Sequence, residues 1–417
     1  MEYGEADRQW LESLKVRGMN LGLERTKLYC DQLGVSWPKH VFHVAGSNGK
    51  GTTCAQLIGF LENQGYNTLF FSSPHLVRVE ERTRYKGKPV SSNLYSIALR
   101  ELREKLPHLQ EDITYFEATF LITLACLSLL DVDALVLETG LGGRLDATRV
   151  APATCSILTS ISCEHTDILG DTIEAIAREK AAIARPYHPI FVRNPEQVSV
   201  RTVIEETVLH PHIQGIDVQV GPSRLHWVDV ESNCSYVDEA RKIAQYVMAS
   251  YLNIDCSNIS IQPHWPGRQH MLTANTIEFF LEGAHNPSGM RRSIQSLMSN
   301  WPSNWSLLFG TSPQHSMEEM IQPLIDMIRL NPPSEIILTC PQKGRYPGVA
   351  THVLRPLLST VGCEVKEFEH PADAVDVLLA SSPKGQRILV IGSLYLQGNV
   401  IEALGFDSDE DLSLFKY

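Results

Sequence analysis

The stretch Val41-Phe42-His43-Val44-Ala45-Gly46-Ser47-Asn48-Gly49-Lys50-Gly51-Thr52-Thr53 decides how this chain folds. Val41–Ala45 is short, apolar and rich in β-formers, so it reads as a strand buried on both faces. The glycines after it allow a turn whose backbone N–H groups face one point, and a helix is expected over Thr52–Gln64. A strand, a Gly-rich turn and a helix N-terminus make an anion cradle in which amides, the Lys50 charge and the helix dipole act together. Thr52 is placed to reach a magnesium ion. The spacing departs from G-x-x-x-x-G-K-[ST], because Gly51 stands between Lys50 and Thr52. A Gly-rich surface turn is the plainer alternative; the strand–loop–helix context favours a nucleotide phosphate loop.

The alternation continues outward. Thr68–Ser72, Ala134–Glu138, Cys155–Thr159 and Ile190–Arg193 are further apolar runs, with helices expected at Phe116–Leu130 and Asp171–Ala184. Val198–Gln262 is weakly patterned apart from a helix at Tyr236–Tyr251, and His264-Trp265-Pro266-Gly267-Arg268 reads as a hinge. A second alternation follows. Its strands are Thr276–Leu281, Trp305–Phe309, Glu335–Thr339, Glu364–Phe368 and Arg387–Ile391, and its helices Pro287–Asn300, Ser316–Leu330, Ala372–Leu379 and Leu394–Leu404. The expectation is an α/β protein: an N-terminal P-loop-type domain with a mostly parallel sheet over 1–264, and a smaller Rossmann-like α/β domain over 265–417.

Composition bounds the partners. The 417 residues carry 36 Lys+Arg against 48 Asp+Glu, a formal charge of −12, which argues against sequence-independent nucleic-acid binding. The longest apolar stretch, Phe120–Leu130, is interrupted by Thr123 and Ser128 and falls short of the ~20 residues of a membrane span. Met1–Asp7 is acidic and lacks the apolar core of a signal peptide. The nine cysteines are scattered without a Cys-x-x-Cys, which reads as reduced cytoplasmic thiols and not as a zinc site. A cytoplasmic monomer acting on small molecules, with no nucleic-acid or membrane partner, is expected.

Further residues are placed for chemistry. Glu138 ends a buried strand, where ligands of open α/β sheets bind, and suits a magnesium ligand. Asp171-Thr172-Ile173-Glu174 has capping-box spacing. In the helix that follows, Lys180 falls within the apolar stripe of Ile173, Ile176, Ala177, Ile183 and Ala184. It is either a stem that packs while its amine snorkels to water, or an amine held at a metal or phosphate site. His165 follows the strand Ile157–Ile161 and is a candidate ligand beside Glu164 and Asp167. Asn286 and Pro287 read as a helix cap and first turn, which leaves His285 without a structural role.

Together these segments resemble the folylpolyglutamate synthase/dihydrofolate synthase family of Mur-ligase-type amide ligases. The resemblance runs in order through Val44–Thr52, Ser73-Pro74-His75-Leu76, Phe116-Glu117-Ala118-Thr119, Glu138–Thr148, His165–Thr172, Ile176–Ala181, Trp265–Arg268, Gly283–Pro287 and Gly392–Leu396. It implies an ATP-dependent ligase that joins a pterin- or folate-type carboxylate to the amine of L-glutamate through an acyl phosphate. Gly46, Ser47, Asn48, Gly49, Lys50, Gly51, Thr52 and Thr53 would hold the ATP phosphates. Ser73, Glu138 and His165 would bind one Mg2+, with Thr52 near another that a carbamylated Lys180 helps to hold. Arg268, Glu282 and His285 match second-domain groups of the ATP site, and Asp146 and Ala147 match the pterin side. Lys50, Lys180 and His285 are the catalytic candidates.

The chain departs from the family pattern at Glu164 and Glu282, each in place of Asp, and at Arg149, in place of Asn. Gly310-Thr311-Ser312-Pro313-Gln314-His315 lacks an Asp-Lys-Asp. Four functional readings stand: a bifunctional enzyme, an extension-only folylpolyglutamate synthase, a ligase for a non-folate acid, and a nucleotide-binding regulator.

Overall fold

The computed structural model describes residues 2–18, 21–106, 113–210, 221–231, 234–298, 300–314, 317–344, 346–358 and 362–415. His315, Ser316, Ser299 and, within the weakly patterned region, 211–220 and 232–233 lie outside them. The chain forms two compact units, one built from Met1–Pro74 and Val79–Pro263, the other from His75–Arg78 and His264–Lys416.

The strands of the first unit are β1 (His40–Ala45), β2 (Thr68–Phe71), β3 (Thr83–Tyr85), β4 (Lys88–Pro89), β5 (Ala134–Glu138), β6 (Cys155–Leu158), β7 (Pro189–Arg193) and β8 (Arg224–Val228). Among the described residues they form one sheet in the order β4-β3-β2-β5-β1-β6-β7-β8. From β2 to β8 the pairs are parallel; β3 and β4 add an antiparallel hairpin. Val44 lies opposite Glu138 and Ala45 opposite Leu158, so the carboxyl ends of β5, β1 and β6 are flush. The loops after them leave one edge of the sheet, where such folds place ligands.

Helix Lys50–Asn63 begins directly after the glycine turn, two residues earlier than the sequence suggests. Helix Ile173–Ala181 is capped by Thr172, which has extended φ/ψ and accepts from Ala175 N at 3.2 Å. The expected Asp171–Glu174 box is not made: extended backbone at Thr172 aims its own hydroxyl at that amide, and Glu174 accepts from Ser199 Oγ instead.

In the second unit, β9 (His270–Ala274), β10 (Ile277–Glu282), β11 (Trp305–Phe309), β12 (Ile336–Thr339), β13 (Val365–Phe368) and β14 (Arg387–Ile391) form a sheet ordered β13-β12-β11-β14-β10-β9. All its pairs are parallel except β9 with β10. Thr276, expected to open a strand, lies in the hairpin turn; Asn275 and Thr276 have φ of 49° and 71°, as a twisted hairpin requires. Apolar clusters cover both faces of this sheet, and Leu76 and Val77 pack against one of them. Among the described residues no helix is long and apolar enough to cross a membrane.

Candidate active site

The glycine turn is fixed by the loop after β6. Ser47 N donates to Ser160 O at 2.7 Å, Ser162 N to Ser47 Oγ at 3.0 Å, and Thr159 Oγ1 to Asn48 O at 2.8 Å. Gly46 has φ 147°, and a Cβ there would sit 1.8 Å from Thr159 Oγ1, so no side chain fits. Gly49, at φ 84°, caps helix Lys50–Asn63 in a left-handed conformation that glycine adopts freely. The amides of the first helical turn remain directed at the loop, as phosphate binding requires.

Two ammonium groups meet on this turn. Lys50 Nζ donates to Gly46 O at 2.9 Å and to Ser47 O at 3.4 Å; Lys180 Nζ donates to the same Gly46 O at 3.1 Å. Lys180 is 2% exposed and does not snorkel. It pairs with Glu164 Oε1 at 2.8 Å. Burial lowers the Lys180 pKa, with Glu164 opposing and Lys50 adding to the effect. Burial would raise Glu164, but Lys180 and Lys50 outweigh it and hold the carboxyl low. His165 is lowered, first by burial.

His165 does not stand at a strand end. β6 stops at Leu158: Thr159 N still donates to Ala45 O, but Ser160 and Ser162 bond to the glycine turn instead of continuing the ladder. His165 instead precedes the short helix Thr166–Leu169 with φ 48°. Ser73 N donates to Glu138 Oε2 at 3.3 Å, so these two expected partners do meet, and Glu138 is 7% exposed.

Among the described residues no three His, Cys, Asp or Glu side chains are gathered to hold a metal by themselves. Glu138 and the hydroxyls of Ser73 and Thr52 are nonetheless hard oxygen donors. That set fits magnesium, which takes one or two carboxylates and completes its shell from phosphates and water. Thr53 Oγ1, also in this turn and 1% exposed, has no hydrogen-bond partner among the described residues.

Asp146 is buried, and both carboxylate oxygens are engaged. Oδ2 accepts from Gly140 N (2.8 Å) and Leu141 N (2.9 Å); Oδ1 accepts from Thr148 N (3.0 Å) and from Thr148 Oγ1. Burial raises its pKa against these bonds. Ala147 beside it is buried as well. This loop is bolted to the end of the Lys180 helix. Arg144 N donates to Glu179 O, Arg149 Nε to Ala182 O, and a Cβ on Gly143 would meet Glu179 O at 2.9 Å. The Arg149 departure thus places a buried cation at a helix C-terminus, a favourable location for it.

In the second unit, Arg268 Nη1 lies 3.7 Å from Glu282 Oε1 at the end of β10. His285 Nδ1 lies 2.8 Å from Gly283 O, a carbonyl that can only accept, so Nδ1 is the donor. Asn286 Oδ1 accepts from Gly289 N at 2.7 Å, the expected cap. Sequence reasoning missed Gln397, whose Nε2 donates to Glu282 O and Val390 O and ties β10 to β14. It also missed Thr159, Ser160 and Ser162. No motif marks them, and they meet the glycine turn only in the fold, more than a hundred residues away in sequence.

Fold and site together define a class, the ATP-dependent α/β ligases. No family model matches the chain. It is 30% identical over 414 residues to the dihydrofolate synthase/folylpolyglutamate synthase of Escherichia coli (strain K12), covering 95% of this chain and 94% of that protein. It is 26% identical over 435 residues to the protein of that description from Bacillus subtilis (strain 168), covering 95% and 98%. The structure of E. coli FolC in complex with DHPP and ADP matches with a TM-score of 0.77 at 27% identity, over 96% of this chain and 97% of that one. The chain belongs to the dihydrofolate synthase/folylpolyglutamate synthase family.

Proposed function

We propose that this chain joins L-glutamate to dihydropteroate and to (tetrahydro)folates, converting ATP to ADP and phosphate. The observation that carries the reading is the convergence of Lys50 and Lys180 on the Gly46 carbonyl, beside a loop whose amides can receive phosphates. A carboxylate oxygen of the acid attacks the γ-phosphorus of ATP, and ADP leaves. The glutamate amine then attacks the acyl carbon, gives up a proton, and phosphate departs as the amide forms. The loop amides orient the phosphates, and Lys50 offsets the charge that gathers on the transferred group. Glu138, Ser73 and His165 would hold one magnesium and Thr52 would lie near a second, and these ions would supply further neutralisation when bound.

Lys180 carries a carbamate in this reading. A carbamate would place an anion next to Glu164, which only a cation between them makes favourable. Arg268, Glu282 and His285 serve the nucleotide, and Asp146 and Ala147 the pterin side. All nine cysteines are free, which suits a reducing cytoplasm, and the enzyme acts as a monomer.

A paired assay tests the function. Phosphate release with glutamate, ATP and magnesium is measured with dihydropteroate and, separately, with tetrahydrofolate. Activity with both is expected. Release with tetrahydrofolate alone would leave only chain extension, and inactivity with both would favour a non-folate acid or a regulator.

A further inference from the structure

His43 lies in the middle of β1, three residues before the glycine turn, and is fully buried. Its strand neighbours Val41 and Ala45, which share its face, are apolar. An imidazole at such a position is unfavourable unless it is hydrogen-bonded. Its Nε2 lies 2.8 Å from Thr148 Oγ1. The one hydroxyl proton of Thr148 goes to Asp146 Oδ1. Nε2 of His43 must therefore be the donor, and Nδ1 carries no proton. Nδ1 has no hydrogen-bond partner among the described residues. Burial, with Arg185 and Arg149 adding to it, keeps this ring neutral.

The order of donors matters. A threonine hydroxyl rotates freely and can give its proton to several acceptors. With the His43 N–H filling a lone pair of Thr148 Oγ1, the proton is directed at Asp146. Asp146 Oδ1 is then occupied by Thr148, and Oδ2 is left to receive Gly140 N and Leu141 N. Those two amides belong to the loop immediately after Glu138. We propose that His43 is a positioning residue: through Thr148 it orients Asp146, which holds the Gly140–Leu141 loop in the shape that receives the acid substrate. In this arrangement Asp146 serves the pterin side by bracing the loop with its carboxylate. The inference rests on the function proposed above for the choice of substrate, but the hydrogen-bond chain stands independently of it.

The test uses the full-length chain with His43→Leu, His43→Gln, Thr148→Val and the Leu/Val double variant. Initial rates are measured with the folate-type acid and ATP varied separately. His43→Leu and Thr148→Val should each raise KM for the acid about tenfold, the size of one net hydrogen bond, and leave KM for ATP unchanged. The double variant should be no worse than either single. Gln, whose amide N–H reaches about as far as Nε2, should restore the wild-type KM. Equal shifts in both KM values, multiplicative effects in the double variant, or failure of Gln to restore would overturn the proposal. Hydrogen exchange at the Gly140 and Leu141 amides gives a readout free of catalysis. Faster exchange in His43→Leu and Thr148→Val supports the chain, and unchanged exchange overturns it. If His43→Leu does not fold, Thr148→Val carries both measurements. A wild-type protein inactive with both acids refutes the proposed function, while the exchange result still decides this inference.

Discussion

Lys50 and Lys180 share one acceptor: their ammonium groups both donate to Gly46 O, at 2.9 and 3.1 Å. Two cations on one carbonyl repel each other, and the arrangement is tolerated because Glu164 sits 2.8 Å from Lys180. As long as Lys180 is uncarbamylated, the pair also holds positive potential at the phosphate loop; once it is carbamylated, Lys50 alone does so. Replacing Lys50 with Ala should lower kcat by about 10²–10³, the usual loss of one preorganised electrostatic group. Phosphate release measures the rate, and an unchanged circular dichroism spectrum would separate it from unfolding.

Removing the counter-charge is a different experiment. Glu164→Ala leaves Lys180 buried at 2% exposure without its carboxylate. Stability should fall by about 3–5 kcal/mol, as for other broken buried pairs. Urea unfolding reads the loss. The shorter Glu164→Asp keeps the charge and should cost less, so equal losses for Ala and Asp would contradict the pairing.

Gly46→Ala should be the most damaging small change in the loop. The added methyl would lie 1.8 Å from Thr159 Oγ1 on a backbone at φ 147°. Overpacking alone costs about 1–3 kcal/mol. Because Thr159 also holds Asn48 O, nucleotide affinity should drop with stability. Titration of a fluorescent ATP analogue checks the first, and thermal unfolding the second.

Glu117 should prove a staple of the N-terminal segment. It accepts from Arg25 Nε and Nη2, from Thr26 Oγ1, and from Thr114 N and Oγ1. Glu117→Ala strands a cation and several donors at once, so its loss should exceed the ~0.5–2 kcal/mol of a helix cap alone, which Thr114→Ala measures. Equal losses in urea would show that Arg25 contributes nothing.

Glu80 supplies a pH signature. Burial raises its pKa, but the hydrogen bond from Arg8, its charge, and Ser92 together bring it below the ordinary value. A carboxyl with a depressed folded pKa contributes stability above its unfolded pKa of about 4.3. That contribution disappears as pH falls through the folded value. The difference in Tm between wild type and Arg8→Ala should therefore be present at pH 6 and shrink below pH 4. A difference that is constant with pH would exclude the ion pair as its cause.

Strands buried on both faces were legible in the sequence, because a continuous apolar run admits few alternatives; β1, β5, β11 and β14 follow their predicted ranges within a residue. Strand β8 was not legible. It lies at a sheet edge, and Arg224 and His226 interrupt its apolar pattern. The β3–β4 hairpin was missed although Lys86 and Gly87, with φ of 50° and 72°, occupy its turn. The charged run Glu80–Arg84, which leads into β3, is buried throughout, by pairing that sequence does not display. In the site, the inward position of Lys180 was legible from helical phase, but phase alone did not say whether its amine snorkels to water. Its partnership with Glu164 joins residues 16 apart in sequence on separate elements, and no periodicity connects them.

The short segment His75–Arg78 belongs to the second unit although nearly two hundred residues of the first unit follow it. Leu76 O lies so near Gly398 that a Cβ there would come within 1.9 Å of it. A fragment beginning at His264 would therefore lack one of its own packing elements. Limited proteolysis between the units should yield two pieces that copurify, and separate expression of residues 264–417 should give a sticky product until a peptide spanning residues 75–78 is added back.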